Sequence, residues 1–134
     1  NMIGRLPTEK EWEYTARNGG EAVKFPTGEN SLDNDQANLR DVRGKDKWKY
    51  TSPVGSFGRT ENGICDMAGN VWEWCFDVYT GFSDQTSKES GKRVIRGGSY
   101  SDFAWQCRAS KRLVIPKSSG MPNVGFRVVL VFPK

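Results

Sequence analysis

A chain of 134 residues is one domain's worth of polymer, enough to bury a single core. It has no histidine, and its three cysteines, Cys65, Cys75 and Cys107, form no Cys-x-x-Cys pair. Zinc fingers, histidine-held metal centres, Ser-His-Asp triads and Cys-His nucleophiles are thereby excluded. The net charge of +4 comes from 20 basic and 16 acidic residues that interleave along the chain, which reads as a solvated surface; with no recognition helix or RNP-like strand, no nucleic-acid partner is expected.

Hydrophobic content is only 36%, while glycine reaches 15, tryptophan five, phenylalanine seven and tyrosine four. Few aliphatics with many rings and glycines point to a loop-rich fold pinned by aromatic side chains. No run of apolar residues is long enough for a membrane span. No leader of charged then apolar residues is visible, and the abrupt opening at Asn1-Met2-Ile3-Gly4 reads like that of a fragment or trimmed chain.

In chain order, Thr8 followed by Glu11 is a capping box, and the spacing of Trp12, Thr15 and Ala16 predicts a helix over residues 8–18 that Gly19-Gly20 stops. Residues 20–62 are polar and turn-rich without a period. A loop of that length in a compact domain needs something to tie it down, and a bound cation is one such device. Thr51-Ser52-Pro53-Val54-Gly55 reads as a short extended piece. Strand patterns fall at Val71 to Cys75, at Arg93 to Arg96, and over Gly125 to Phe132 as the longest β-type run; residues 78–92 read as an exposed loop.

Five blocks stand out: Gly4-Arg5-Leu6-Pro7-Thr8-Glu9-Lys10-Glu11-Trp12-Glu13-Tyr14, Ser52-Pro53-Val54-Gly55, Gly63-Ile64-Cys65-Asp66-Met67-Ala68-Gly69-Asn70-Val71-Trp72-Glu73-Trp74, Arg96-Gly97-Gly98-Ser99-Tyr100 and Gly125-Phe126-Arg127. In order and wording the chain resembles the formylglycine-generating enzyme, or sulfatase-modifying, domain family from residue 4 to about residue 132. The resemblance implies a single domain over residues 1–134 that lacks the family's N-terminal portion. It implies an α+β, mostly irregular, C-type-lectin-like fold with little regular secondary structure.

It also implies calcium. Carried over by position, Asp66 and Glu73 would donate side-chain oxygens and Gly69 and Val71 their carbonyls. Calcium, a hard cation, takes several oxygens at about 2.4 Å, which two carboxylates flanking a glycine turn can supply. The same residues also allow a tight turn with Glu73 buried against an arginine. A second implied set is Asn38 and Asp46 by side chain with Leu39 and Trp48 by carbonyl, on a shorter spacing than the family's enzymes have; an ordinary polar loop is the alternative.

The family's oxidase chemistry rests on two cysteines that bind copper above the Gly-Gly-Ser turn. By position the second falls on Cys107 and the first on Asp102. A carboxylate is no substitute for a thiolate at monovalent copper, so copper is not expected here. Were the chain an enzyme, a degenerate formylglycine-generating oxidase acting on a cysteine peptide, Cys107, Ser99 and Trp72 would be its working residues. Otherwise Cys107 is a small buried hydrophobe, Trp72 is core and Ser99 holds the turn. A Cys75–Cys107 disulfide is conceivable, though sequence does not place the two sulfurs together.

Non-enzymatic relatives of this fold include the variable proteins of diversity-generating retroelements in bacteria and phages, which carry ligand contacts between an RGGS-type block and a terminal GFR block. That resemblance implies a non-catalytic, calcium-stabilised domain that binds a protein or glycan through Tyr100, Asp102, Phe103, Ala104, Trp105, Lys111, Leu113 and Ile115, in a secreted or cell-surface setting. Phe103, Leu113 and Ile115 could equally be core. Adenine-directed mutagenesis of asparagine-type codons cannot yield Trp, Gln, Lys or Met, so Trp105 and Lys111 would not be diversified positions. Arg96, Arg108, Arg112 and Arg127 read as clamps on Asp66, Glu73 or backbone carbonyls, or as contacts to an acidic ligand.

Overall fold

The computed structural model describes residues 2–79 and 91–132. The helix forms where the capping box places it. In α1 (Glu9–Ala16) the Thr8 hydroxyl accepts from the Glu11 N–H, and the Glu11 carboxylate reaches back to the Thr8 N–H at 2.8 Å. Both satisfy N–H groups that a helix start otherwise leaves unpaired. Arg5 grips the same carboxylate with two bonds of 2.7 Å. Trp12 and Ala16 face inward. The helix stops two residues earlier than the spacing suggests, because Asn18 already adopts a left-handed backbone (φ 51°) ahead of Gly19.

Six short strands among the described residues make two sheets. β1 (Ile3–Arg5) pairs antiparallel with β6 (Val129–Val131). The second sheet has the order β4-β3-β2-β5, where β2 is Trp72–Val78, β3 Lys92–Arg96, β4 Arg112–Pro116 and β5 Val124–Gly125. All of its pairings are antiparallel except β2 with β5. The core lies in two clusters: Trp12, Ala16, Met67, Cys75, Val94 and Ala109 in one, Phe25, Leu32, Ala37, Leu39, Ala68 and Cys107 in the other. The C-type-lectin-like expectation holds at this level, with one α-helix among the described residues, small sheets and long irregular loops.

Three expectations change. The run over 125–132 is not one strand. It splits into β5 and β6 in different sheets, because Arg127 between them turns inward to Glu73 while Phe126, Val128, Leu130 and Phe132 stay exposed. Residues 112–116, read as part of an irregular binding segment, are the strand β4, with Leu113 opposite Ile95 and Ile115 opposite Arg93. Residues 54–57 form a turn closed by Ser56 on the Pro53 carbonyl, where an extended piece was expected. Most of the loop expected at 78–92 lies outside the described residues.

Arg96 is the most buried cation among the described residues. It is 1% exposed, its guanidinium bridges Glu9 and Glu13 on α1, and it lies 5.2 Å over the Trp12 ring. A charge so enclosed persists only when paired.

Hydrogen bonds first from Arg5 and then from the Thr8 backbone hold the Glu11 carboxyl at about 2, below its ordinary 4.5. Its contribution to stability is therefore complete above about pH 4.5 and lost as pH falls toward 2. Urea midpoints measured at a series of pH values should decline over that window, and Glu11→Gln should lower the neutral-pH midpoint while flattening the acid decline.

Candidate functional site

The Gly97-Gly98-Ser99 turn follows β3, and the segment 99–107 folds over it. Gly98 is left-handed (φ 74°), and a Cβ there would lie 2.3 Å from the Cys107 Sγ. Only glycine permits this approach, which seats Cys107 directly beneath the turn. Cys107 is 0% exposed, at the end of a 3-10 helix, Ala104–Cys107. Burial, and next the negative charge of Asp102, push its thiol up to about 12. Burial likewise pushes the Cys75 thiol up to about 12. Thiols held there are not thiolates at physiological pH.

Asp102 occupies the position where the resemblance puts the first copper cysteine. Its Oδ2 accepts from the Trp72 indole N–H at 2.8 Å and from the Ser99 hydroxyl at 2.5 Å. Asn123 donates to both Ser99 and Ser101 at 3.1 Å. The carboxylate thus serves as the acceptor that ties β2, the glycine turn and the 123 loop together. Trp72 and Ser99 are both buried. The three cysteines are free, and Cys75 and Cys107 belong to different core clusters, so no disulfide links them.

The two implied calcium sets differ. Both oxygens of Glu73 are engaged: Arg127 donates at 2.6 and 2.7 Å, and the Trp12 indole N–H at 2.6 Å. Asp66 accepts from the Gly55 N–H at 2.7 Å. Of the two readings the residues allow, this is a buried Glu73 paired to an arginine. Its charge is already met by Arg127, which weighs against Glu73 as a ligand in the set Asp66, Gly69, Val71 and Glu73. Asn70, which the sequence reading passed over, is the hub of this turn. Its amide bonds both backbone groups of Ser52, its N–H donates to the Asn38 carbonyl, and its own carbonyl accepts from the Tyr100 N–H. The signal available in sequence was an Asn beside Gly69, since Asn tolerates the left-handed backbone found here (φ 64°).

The set Asn38, Leu39, Asp46 and Trp48 fits better. Asp46 is 0% exposed, yet it makes no ion pair among the described residues. Only N–H groups meet its carboxylate: Leu39 at 2.8 Å, Asn34 at 3.1 Å and Trp48 at 3.2 Å. Asn38 is also buried; its amide donates to the Tyr50 carbonyl, but its Oδ1 has no partner. A buried carboxylate lacking a counter-charge, in a segment that also holds an orphaned amide oxygen, suits a hard cation. No three acidic or thiol side chains converge among the described residues, so an ion here would depend on amide and backbone oxygens as well.

The residues expected to meet a ligand separate into groups. Phe103 and Trp105 are 47% and 53% exposed, and Tyr100 is half-buried with its ring edge-on to Tyr50 at 5.8 Å. Lys111 lies 5.5 Å over the Trp105 ring. Ala104 packs on the second core cluster, and the Asp102 carboxylate is spent within the fold. Leu113 and Ile115 stand on β4, away from the 3-10 helix in sequence. Of the arginines, Arg127 holds Glu73 and the carbonyls of Cys65 and Asp66, and Arg108 holds the Trp105 carbonyl. Arg96 and Arg112 instead pair with glutamates of α1.

A thiol reagent should label one of the three cysteines in the native protein, Cys65, and all three after unfolding in denaturant. Labelling of Cys107 at the native rate of Cys65 would contradict the sealed position.

The family described as the sulfatase-modifying factor enzyme 1-like domain matches residues 1–131. Inactive C-alpha-formylglycine-generating enzyme 2 of Bos taurus is 33% identical, over 92% of this chain and 42% of its own. Formylglycine-generating enzyme of Mus musculus is also 33% identical, over 92% of this chain and 38% of its own. The structure of Treponema denticola variable protein 1 superposes with a TM-score of 0.76 at 29% identity, over 97% of this chain and 48% of that one. The chain therefore spans less than half the length of these relatives. An enzyme and an inactive counterpart match equally well, so identity alone does not decide the chemistry.

Proposed function

Because the chain belongs to the family of sulfatase-modifying factor enzyme 1-like domains, yet seals its Cys107 and spends Asp102 on Trp72 and Ser99, we propose that it is a non-catalytic, calcium-stabilised ligand-binding member. The observation that carries this reading is the pair at 102 and 107. By resemblance to the family, the oxidase chemistry would rest on two copper-binding cysteines, and monovalent copper favours thiolate ligands. In this chain one of those places holds a hydrogen-bonded carboxylate and the other a buried thiol raised to about 12.

What remains exposed is a binding surface. Tyr100, Phe103, Trp105 and Lys111 sit on a frame fixed by the Gly98 turn, and large aromatic side chains on a rigid support are what recognition of a protein or glycan needs. The likeness to a variable protein supports the same assignment. Calcium, held by Asn38 and Asp46 with the carbonyls of Leu39 and Trp48, would supply the positive charge that Asp46 otherwise lacks and would order residues 34–50.

Differential scanning with calcium or a chelator tests the ion. Calcium at 100 times its Kd should add about 2.7 kcal/mol, a rise in Tm of several degrees. Asn38→Ala and Asp46→Asn should abolish the rise, whereas a rise that persists in both variants places the ion elsewhere. The non-catalytic reading is tested by incubation with copper, oxygen and a sulfatase-type cysteine peptide; conversion to formylglycine would overturn it.

A further inference from the structure

Five arginines among the described residues are paired with carboxylates. Arg5, Arg17, Arg96, Arg112 and Arg127 each hold a glutamate. Around the aromatic surface the pattern reverses. Arg40 lies 4.7 Å over the Phe103 ring, Lys49 lies 5.8 Å over Tyr50, and Lys111 lies over Trp105. None of these three cations has a carboxylate partner among the described residues. The Asp102 carboxylate is occupied by Trp72 and Ser99. Asp41 follows Arg40 in sequence but makes no ion pair with it.

Two contacts join the halves of the chain here. Tyr50 meets Tyr100 ring to ring, and the Arg40 N–H donates to the Asp102 carbonyl at 2.9 Å. Residues from the irregular 34–50 loop therefore complete a surface to which the sequence assigned only residues from 100 onward. The cavities of about 310 Å³ and 370 Å³ are lined by other residues. An exposed surface fits a macromolecular partner better than an enclosed small molecule.

Resting on the binding function proposed above, we infer that the ligand is an acidic protein segment, recognised by Arg40, Lys49 and Lys111 on their aromatic supports. A cation stacked on a ring is fixed in place yet keeps its donors free. It is thus preorganised for a carboxylate at little cost in side-chain order. One face of Phe103, Tyr50 and Trp105 is already covered by its cation, which leaves less open ring for the base stacking that single-stranded nucleic acid needs. Tyr, Trp and Arg are also the residues that dominate binding energy at protein interfaces.

The test pans a random peptide phage library against the full chain and measures the selected peptides by fluorescence polarisation. Selected peptides should be rich in Asp and Glu. Arg40→Glu and Lys111→Glu, each with unchanged Tm, should weaken binding roughly tenfold or more, and added salt should weaken it further. Neutral or basic peptides whose binding is lost in Phe103→Ala would overturn the acidic-ligand inference and leave the binding surface standing. Tighter binding of a single-stranded DNA oligonucleotide or of heparin, competing with the peptides, would overturn the assignment to a protein partner. If no peptide and no polyanion binds, both the inference and the binding function fall.

Discussion

Three segments far apart in sequence meet at one carboxylate. Glu73 lies on β2, Trp12 on α1, and Arg127 in the segment between β5 and β6. The indole N–H and the guanidinium together take both of its oxygens. Removing Arg127 would leave a buried negative charge, at a cost of about 3–5 kcal/mol, whereas the intact pair adds little net stability over an apolar replacement. Its role is therefore to specify position: an arginine fork accepts a carboxylate in one plane and one register. It draws Arg127 out of what would otherwise be a continuous strand, sends β5 to one sheet and β6 to the other, and sets the parallel pairing beside Trp72.

From that junction the glycine turn after β3 inherits its place. Gly69 is similarly confined, since a Cβ there would come within 2.3 Å of the Asn38 carbonyl oxygen. The Gly69 contact on Asn38 brings the irregular first half of the chain close to the strands, while the Gly98 contact on Cys107 packs the segment after β3 against its own turn. Asn70 then bonds to both sides of the seam. The loop over residues 20–62 stays ordered through buried amides and carboxylates rather than through a period of apolar residues. That same loop delivers Arg40, Lys49 and Tyr50 to the exposed aromatic surface.

Local chemistry was legible in the sequence and distant pairing was not. The capping box of Thr8 and Glu11 is written in adjacent residues and forms as read. So do the inward face of Trp12 and Ala16 and the strands around Trp72 and Arg96. The family's blocks fixed the fold class and drew attention to positions 102 and 107. What the sequence could not specify was which cation would meet Glu73, or that Asp102 would become an acceptor for Trp72 and Ser99. Those depend on loop closures spanning tens of residues. β4 was missed for a related reason: Arg112 to Pro116 shows no alternation, and becomes a strand only because β3 offers it a free edge.

Residue 3 pairs with residue 131, and residue 72 with residue 124. During synthesis, neither β1 nor the outer edge of β2 has its neighbour until residues 124–131 have emerged. Assembly of this domain is accordingly a late, concerted event dominated by closures of long loops, which are slow to form. Until then Trp12, Met67 and Val94 have no finished core to enter.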